Sequence, residues 1–187
     1  MNFLNKFNNQ KNIRFEMFQY ALKLAHKRNL KTLVETGTSR GKIKFFFFRK
    51  YNWKDGMSTV TLGEFAKFVG GKLYTCDISK ENINSAKKFT RNLKQNILFN
   101  VNDSIIFLKN FHIPIDFLYL DSLDGHNPIK ASEHQLNEIT VAINKLHKNS
   151  LILLDDKGLK TNLSLNFLKK NNYKILKETN FQILLSQ

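Results

Sequence analysis

Six carboxylates stand where they could act on a ligand. Glu35, Asp77, Asp103, Asp121, Asp155 and Asp156 each end, or closely follow, a short apolar run. A random placement of 15 acidic residues would rarely do this. Asp in such a place can also cap the next helix. Both readings stay open at Asp103, whereas no helical pattern starts at once after Asp121 or Asp155. The first junction reads Glu35-Thr-Gly37-Thr-Ser-Arg-Gly41. Gly37 permits a tight turn and close approach of backbone to ligand. A dinucleotide fingerprint needs a third glycine and an early helix. Both are missing, so a polar ligand with a positively charged end fits better than a pyrophosphate. Asp77 can take both hydroxyls of a ribose. Asp121, Asp155 and Asp156 offer the hard oxygen ligands that suit Mg2+ or Ca2+. His126 follows Asp121 with Asp124 between them, and an unperturbed pKa of about 6.5 suits a general base. An ordinary exposed loop histidine is the competing reading. His134, near Glu133 and Glu138, reads as structural.

These residues need elements to position them. Residues 12–28 read as an amphipathic helix with Phe15, Phe18, Leu22 and Ala25 on one side. Strands are expected at 32–35, 73–76, 97–101, 115–120 and 151–154. Helices are expected at 58–69, 79–92, 129–146 and 163–170, with a short one from Asp103 or Ser104 to Asn110. Thr61 and Glu64 suggest a capping box, and Gly70-Gly71 ends that helix. Residues 173–177 and 181–185 read as a hairpin. Residues 41–55 follow no clear period. Apolar strands alternating with helices imply a parallel sheet covered on both faces, and right-handed crossovers make it doubly wound. The expectation is an α/β fold with a mostly parallel seven-stranded sheet and a C-terminal antiparallel hairpin. It is expected to form one domain over 1–187, with an N-terminal helical segment at 1–28 and the α/β core at 29–187. Ligands bind at the carboxyl ends of strands in such sheets, where the six acids lie.

Glu35-x-Gly37-x-x-x-Gly41 resembles the first motif of class I S-adenosylmethionine (SAM)-dependent methyltransferases. Tyr74-Thr-Cys-Asp77 resembles their second motif, Asn102-Asp103-Ser104 the segment that borders adenine, and Ile115-Asp-Phe-Leu-Tyr-Leu-Asp121 their fourth motif. Val34-Glu-Thr-Gly-Thr38, Asn52-Trp-Lys-Asp-Gly56-Met-Ser-Thr59, Tyr119-Leu-Asp-Ser122, Glu133-His134 and Leu151-Ile-Leu-Leu-Asp-Asp156 are together similar to a bacterial subgroup of short methyltransferases. In that subgroup a loop is inserted between the first motif and its helix. The resemblance covers most of residues 31–185. It implies a Rossmann-like methyltransferase fold, SAM as cofactor, and a cofactor site at Glu35, Gly37, Thr38, Ser58, Asp77, Asp103, Ser104 and Asp121. It also implies methyl transfer to a hydroxyl of a small-molecule acceptor, with Asp121 and His126 as catalytic residues. A divalent ion such as Mg2+ would sit on Asp121, Asp155 and Asp156, although Asp156 and Lys157 replace the amide usual in metal-dependent O-methyltransferases. Ser39 stands where many relatives carry a second glycine. Phe45-Phe-Phe-Phe48 falls in the inserted loop. Core packing is favoured for it over an apolar lid or a self-association surface.

Composition narrows the rest. A chain of 187 residues fits one domain of ordinary size. The lone Cys76 excludes an intrachain disulfide and points to a reducing compartment. Met1 to Gln10 has no long apolar run, and no stretch approaches the ~18 apolar residues of a spanning helix, so a cytoplasmic location is expected. A net charge of +15 raises a nucleic-acid partner. Lys greatly outnumbers Arg, Asn, Ile and Phe are frequent, and the lysines spread along every expected helix, which favours the bias of an AT-rich genome. An RNA methyltransferase stays as the alternative, beside a non-catalytic methyltransferase-like scaffold subunit and, more weakly, a nucleotide-dependent oxidoreductase. A homodimer is compatible with the short chain and its phenylalanine run.

Overall fold

The computed structural model describes residues 1–45, 48–53, 57–123 and 127–187, with the backbone alone for 42–50. After a 3-10 turn at Asn2–Phe7, the order is α1 (Phe15–Lys27), β1 (Thr32–Thr36), β2 (Lys42–Phe45), β3 (Phe48–Tyr51) and α2 (Ser58–Val69). Next come β4 (Lys72–Asp77), α3 (Lys80–Phe89), β5 (Ile97–Val101), α4 (Ser104–Lys109), β6 (Ile115–Leu120) and α5 (Pro128–Ala142). The chain closes with β7 (Leu146–Asp155), α6 (Asn162–Lys170), β8 (Lys174–Glu178) and β9 (Gln182–Ser186). Among the described residues no helix is long and apolar enough to cross a membrane.

Seven strands form one sheet in the order β5-β4-β1-β6-β7-β9-β8. The first five in that order run parallel, and β9 is antiparallel to both β7 and β8. This is the expected α/β sheet with its C-terminal hairpin. Its central strands are apolar without a break because side chains alternate between two covered faces. Leu33, Phe117, Tyr119, Leu151, Leu153 and Leu184 enter a core with Phe18 and Leu22 of α1 and Leu62 and Phe65 of α2. Val34, Leu118, Leu120, Ile152, Leu154 and Ile183 enter a second core with Leu108 of α4, Ile139 of α5 and Leu168 of α6.

Local signals set several boundaries. The Ser79 hydroxyl accepts from the Asn82 amide at the start of α3, and Asp103 accepts from the amides of Ile105 and Ile106 at the start of α4. Gly70, at φ +66°, ends α2.

Other expectations fail locally. Thr61 and Glu64 form no capping box, because α2 starts at Ser58, Thr61 Oγ1 donates back to the Met57 carbonyl, and Glu64 pairs with Lys6. The helix expected to reach Leu146 stops at Ala142, and β7 starts at Leu146 rather than Leu151. There the Lys145 ammonium bonds to the carbonyls of Leu108 and Lys109, and Ser150 Oγ donates to the Ile115 carbonyl, so the segment pairs with its neighbours instead of coiling. The unread stretch after Gly41 is an antiparallel hairpin of β2 and β3. The expectations for Phe46, Phe47, Asp124 and His126, and for the side chains of Phe45 and Phe48, lie outside the described residues.

Leu153 is fully buried on the central strand β7. Leu153→Ala is expected to lower the unfolding free energy by about 2–5 kcal/mol, read by urea denaturation.

Candidate active site

The chain winds outward from β1 to β4 and β5, then returns to lay β6 on the other side of β1. Crossovers that leave in opposite directions open a crevice at the carboxyl ends of β1 and β6. Gly37, at φ +83°, turns there so close to the loop after β6 that a Cβ would lie 2.1 Å from the Asp121 carbonyl oxygen. No side chain fits in that contact.

The glycine loop is held from beneath. Glu35 is fully buried, and its Oε2 accepts from Thr59 Oγ1 at 2.8 Å and Thr75 Oγ1 at 2.6 Å. Thr59 Oγ1 in turn accepts from the Ser39 amide at 2.8 Å. Thr75 has spent its one proton on Glu35, so the 2.7 Å contact with Thr38 Oγ1 must be a bond donated by Thr38. One carboxyl thus pins two consecutive loop residues, through α2 and through β4. Burial pushes Glu35 up to about 7, against the hydroxyls of Ser58, Thr75 and Thr59, which pull the other way.

Above this floor lies a cavity of about 180 Å3 lined by Gly37, Thr38, Ser39, Arg40, Ser58, Asp77, Asn82, Asp121 and Ser122, among others. An adjoining cavity of about 210 Å3 shares Gly37, Asp77 and Ser122 and adds Cys76, Asp103, Ser104, Leu123 and His134. Asp77 lies where the two meet. Its carboxylate already accepts from the amides of Thr38 and Ser79 and from Asn82 Nδ2, which fix its direction. Of the residues expected around a cofactor, Gly37, Thr38, Ser58, Asp77, Asp103, Ser104 and Asp121 line these cavities, and Glu35 supports them from behind. Asp103 is both a cap of α4 and part of the wall. Burial pushes the Cys76 thiol up to about 12, which leaves it protonated and a poor nucleophile.

Asp121, Asp155 and Asp156 converge as expected, each with an oxygen within 4.8 Å of the others. Consecutive strand residues face opposite ways, and a left-handed φ of +55° at Asp156 turns its carboxylate back toward Asp155. Two cations that no motif marks lie among them. Arg14 Nε donates to both Asp155 oxygens at 2.8 Å, and its Nη2 reaches Asp155 at 2.5 Å and Asp156 at 3.1 Å. Lys160 Nζ bridges Asp121 at 3.3 Å and Asp156 at 3.1 Å. Tyr119 donates its hydroxyl to Asp121 Oδ2 at 3.2 Å. Burial and the charge of Asp155 push Asp121 well above the usual carboxylate range, while Lys160 and Arg14 pull it down.

Residues 53–157 match a protein family described as "Methyltransferase domain". The chain belongs to this family of SAM-dependent methyltransferases. Solved structures share the fold at low identity. The Streptococcus mutans protein SMU.1697c, solved in complex with SAH, is 16% identical with a TM-score of 0.60, over 88% of this chain and 96% of that one. A SAM-dependent O-methyltransferase from Thermotoga maritima is 12% identical with a TM-score of 0.64, over 92% and 64%. An rRNA methylase from Streptococcus thermophilus is 12% identical with a TM-score of 0.59, over 90% and 94%. No curated protein matches the sequence.

The methyltransferase cleft fits SAM. Gly37 leaves bare backbone at its centre, a carboxylate stands at the junction of the two cavities, and Ser39 Oγ and Ser122 Oγ border it without a hydrogen-bond partner among the described residues. Ser122 and His134 stand in the motifs Tyr119-Leu-Asp-Ser122 and Glu133-His134 but had been given no place at the cofactor, and Asn82 lies in no motif at all. Asn82 was accessible in principle as the third helical residue after the Ser79 cap, where its amide could reach back to Asp77.

The raised Glu35 has a consequence for stability. Its proton is bound more tightly in the folded chain, so stability falls as pH rises from an ordinary 4.5 through about 7. Glu35→Gln lacks that titration. Its unfolding free energy, measured against wild type in urea, is expected to gain about 3 kcal/mol across this window. A constant difference would refute the shift.

Proposed function

We propose that this methyltransferase moves the SAM methyl group to a hydroxyl of a small-molecule acceptor, with Asp121 taking the proton. The position of Asp121 carries the reading. Asp121 lines the cofactor cavity at the switch point, with its backbone carbonyl against Gly37, and the raised pKa of its carboxyl suits proton capture. Bound SAM supplies a methyl on a sulfonium, which departs as the neutral thioether of SAH when the acceptor oxygen takes the methyl. The chain's own residues align and desolvate the partners. Asp77 takes the ribose hydroxyls, the loop Gly37–Thr38–Ser39 with Ser58 holds the methionine end, and Asp103 and Ser104 border the adenine. Tyr119 and Lys160 each hold one oxygen of Asp121 and so aim it. His126 is the second candidate base.

Residues 1–187 are read as one methyltransferase domain, because Arg14 of the segment 1–28 bonds directly to Asp155 in the α/β core. The hairpin of β2 and β3 between Gly41 and α2 supports the subgroup with a loop inserted after the first motif. The net charge of +15 favours one other reading, an RNA acceptor. That reading requires binding that weakens steeply with salt.

Calorimetric titration with SAM is expected to give binding that Asp77→Asn weakens about 10- to 100-fold. No binding by folded wild-type protein would remove the cofactor assignment. SAH release, screened over hydroxylated small molecules and RNA, is expected with the former. Release with RNA alone would replace the small-molecule reading. With the acceptor found, Asp121→Asn is expected to lower kcat about 10^2- to 10^4-fold while SAM affinity stays within a few-fold. An unchanged kcat would take Asp121 out of the proton transfer.

A further inference from the structure

The cluster at the ends of β6 and β7 has the spacing of an ion site, yet its oxygens are all engaged. Asp155 gives both oxygens to Arg14, and Asp156 gives one to Arg14 and one to Lys160. Asp121 gives one to Lys160 and one to Tyr119. We propose that Arg14 and Lys160 occupy the place of a divalent cation among Asp121, Asp155 and Asp156, so that the methyltransferase holds no ion there.

The charge is equivalent, since two side-chain cations supply what one divalent ion would. The donors differ from an ion in being tethered. Arg14 enters from the N-terminal end of α1, and its planar fork matches the Asp155 carboxylate. Lys160 lies in the 3-10 turn Leu159–Thr161, one turn beyond Asp156. Both are nearly buried, at 9% and 4% exposure. Burial opposes the Lys160 ammonium, but the charges of Asp121 and Asp156 outweigh it and raise its pKa, so it stays protonated. Arg14 stays charged at any ordinary pH. An incoming ion would have to strip both cations of their partners and leave buried charge uncompensated, which weakens its binding by about two to three orders of magnitude.

The test is a Mn2+ titration followed by electron paramagnetic resonance, on wild type and Lys160→Ala, with circular dichroism to confirm the fold. Wild type is expected to bind no Mn2+ at the cluster. Lys160→Ala is expected to gain one Mn2+, lost again when Asp156→Asn is added. If Lys160→Ala does not fold, Lys160→Gln, which keeps the length and removes the charge, is read in its place. Wild type that binds one Mn2+, with the binding abolished by Asp156→Asn, overturns the proposal. So does a folded Lys160 variant that binds no more Mn2+ than wild type. SAM affinity, measured with EDTA and then with millimolar Mg2+, is expected to agree within about twofold. A dependence on Mg2+ would count against the proposal. Failure of SAM to bind under either condition would instead strike the cofactor reading and leave the Mn2+ result standing.

Discussion

A carboxyl without access to water lies beneath the cleft, and the shape of the cleft depends on it. Glu35 sits on the central strand β1, between β4 and β6, and accepts two hydroxyl protons on one oxygen. A carboxyl oxygen that accepts both bonds suits this task, because both threonines must point their protons inward to leave their lone pairs for the loop. The Ser39 amide and the Thr38 hydroxyl are the loop's side of that arrangement. A loop with a second glycine could follow many paths. This one carries Ser39 at that place and is tied down by hydrogen bonds instead. The desolvated carboxyl is the cost of that order, and its pKa near 7 records it.

The other end of the cleft is ordered by charge. Arg14, Lys160, Tyr119 and three aspartates form a network in which each aspartate oxygen accepts a hydrogen bond, a condition under which buried ionic groups become rigid. Asp121 belongs to both regions. Its backbone carbonyl packs on Gly37, its amide bonds to the Thr36 carbonyl, and its side chain faces Lys160. The Asp121 carboxylate and the glycine loop are therefore positioned by the same few atoms.

The sheet was legible because apolar runs buried on two faces have no polar interruptions, and because a strand that ends at a ligand crevice ends in a polar residue. Asp77, Asp121 and Asp155 stood out for that reason. Asp103 did not resolve from sequence, since capping α4 and bordering a cavity demand the same residue at the same place. The hairpin of β2 and β3 stayed hidden because its phenylalanines follow no alternation. The end of α5 was misplaced because Lys145 and Ser150 act through neighbours distant in sequence. Arg14 was invisible for a similar reason, as an ion pair between residues 141 positions apart leaves no local pattern. One signal was available. In a chain so rich in lysine, each arginine is a departure from the compositional bias. Arg14 and Arg28 both use the guanidinium to bind two groups at once, Arg28 reaching the Asn149 carbonyl and Ser186 Oγ.

The placement of β9 also sets an order of events during synthesis. Residues 182–186, which follow the other strands of the sheet in chain order, pair between β7 and β8 and lie opposite Leu153 and Leu154 of β7. Arg14 precedes its partner Asp155 by 141 positions, so this pair cannot form until β7 has emerged. A ribosome-bound chain can therefore collapse around β1, β4, β5 and β6 before the Arg14–Asp155 pair forms, and the outer edge of β7 stays open until β9 has been made. Between the making of β7 and the making of β9 that edge is a template for misassociation, so the order of these two strands in the chain sets a window of risk.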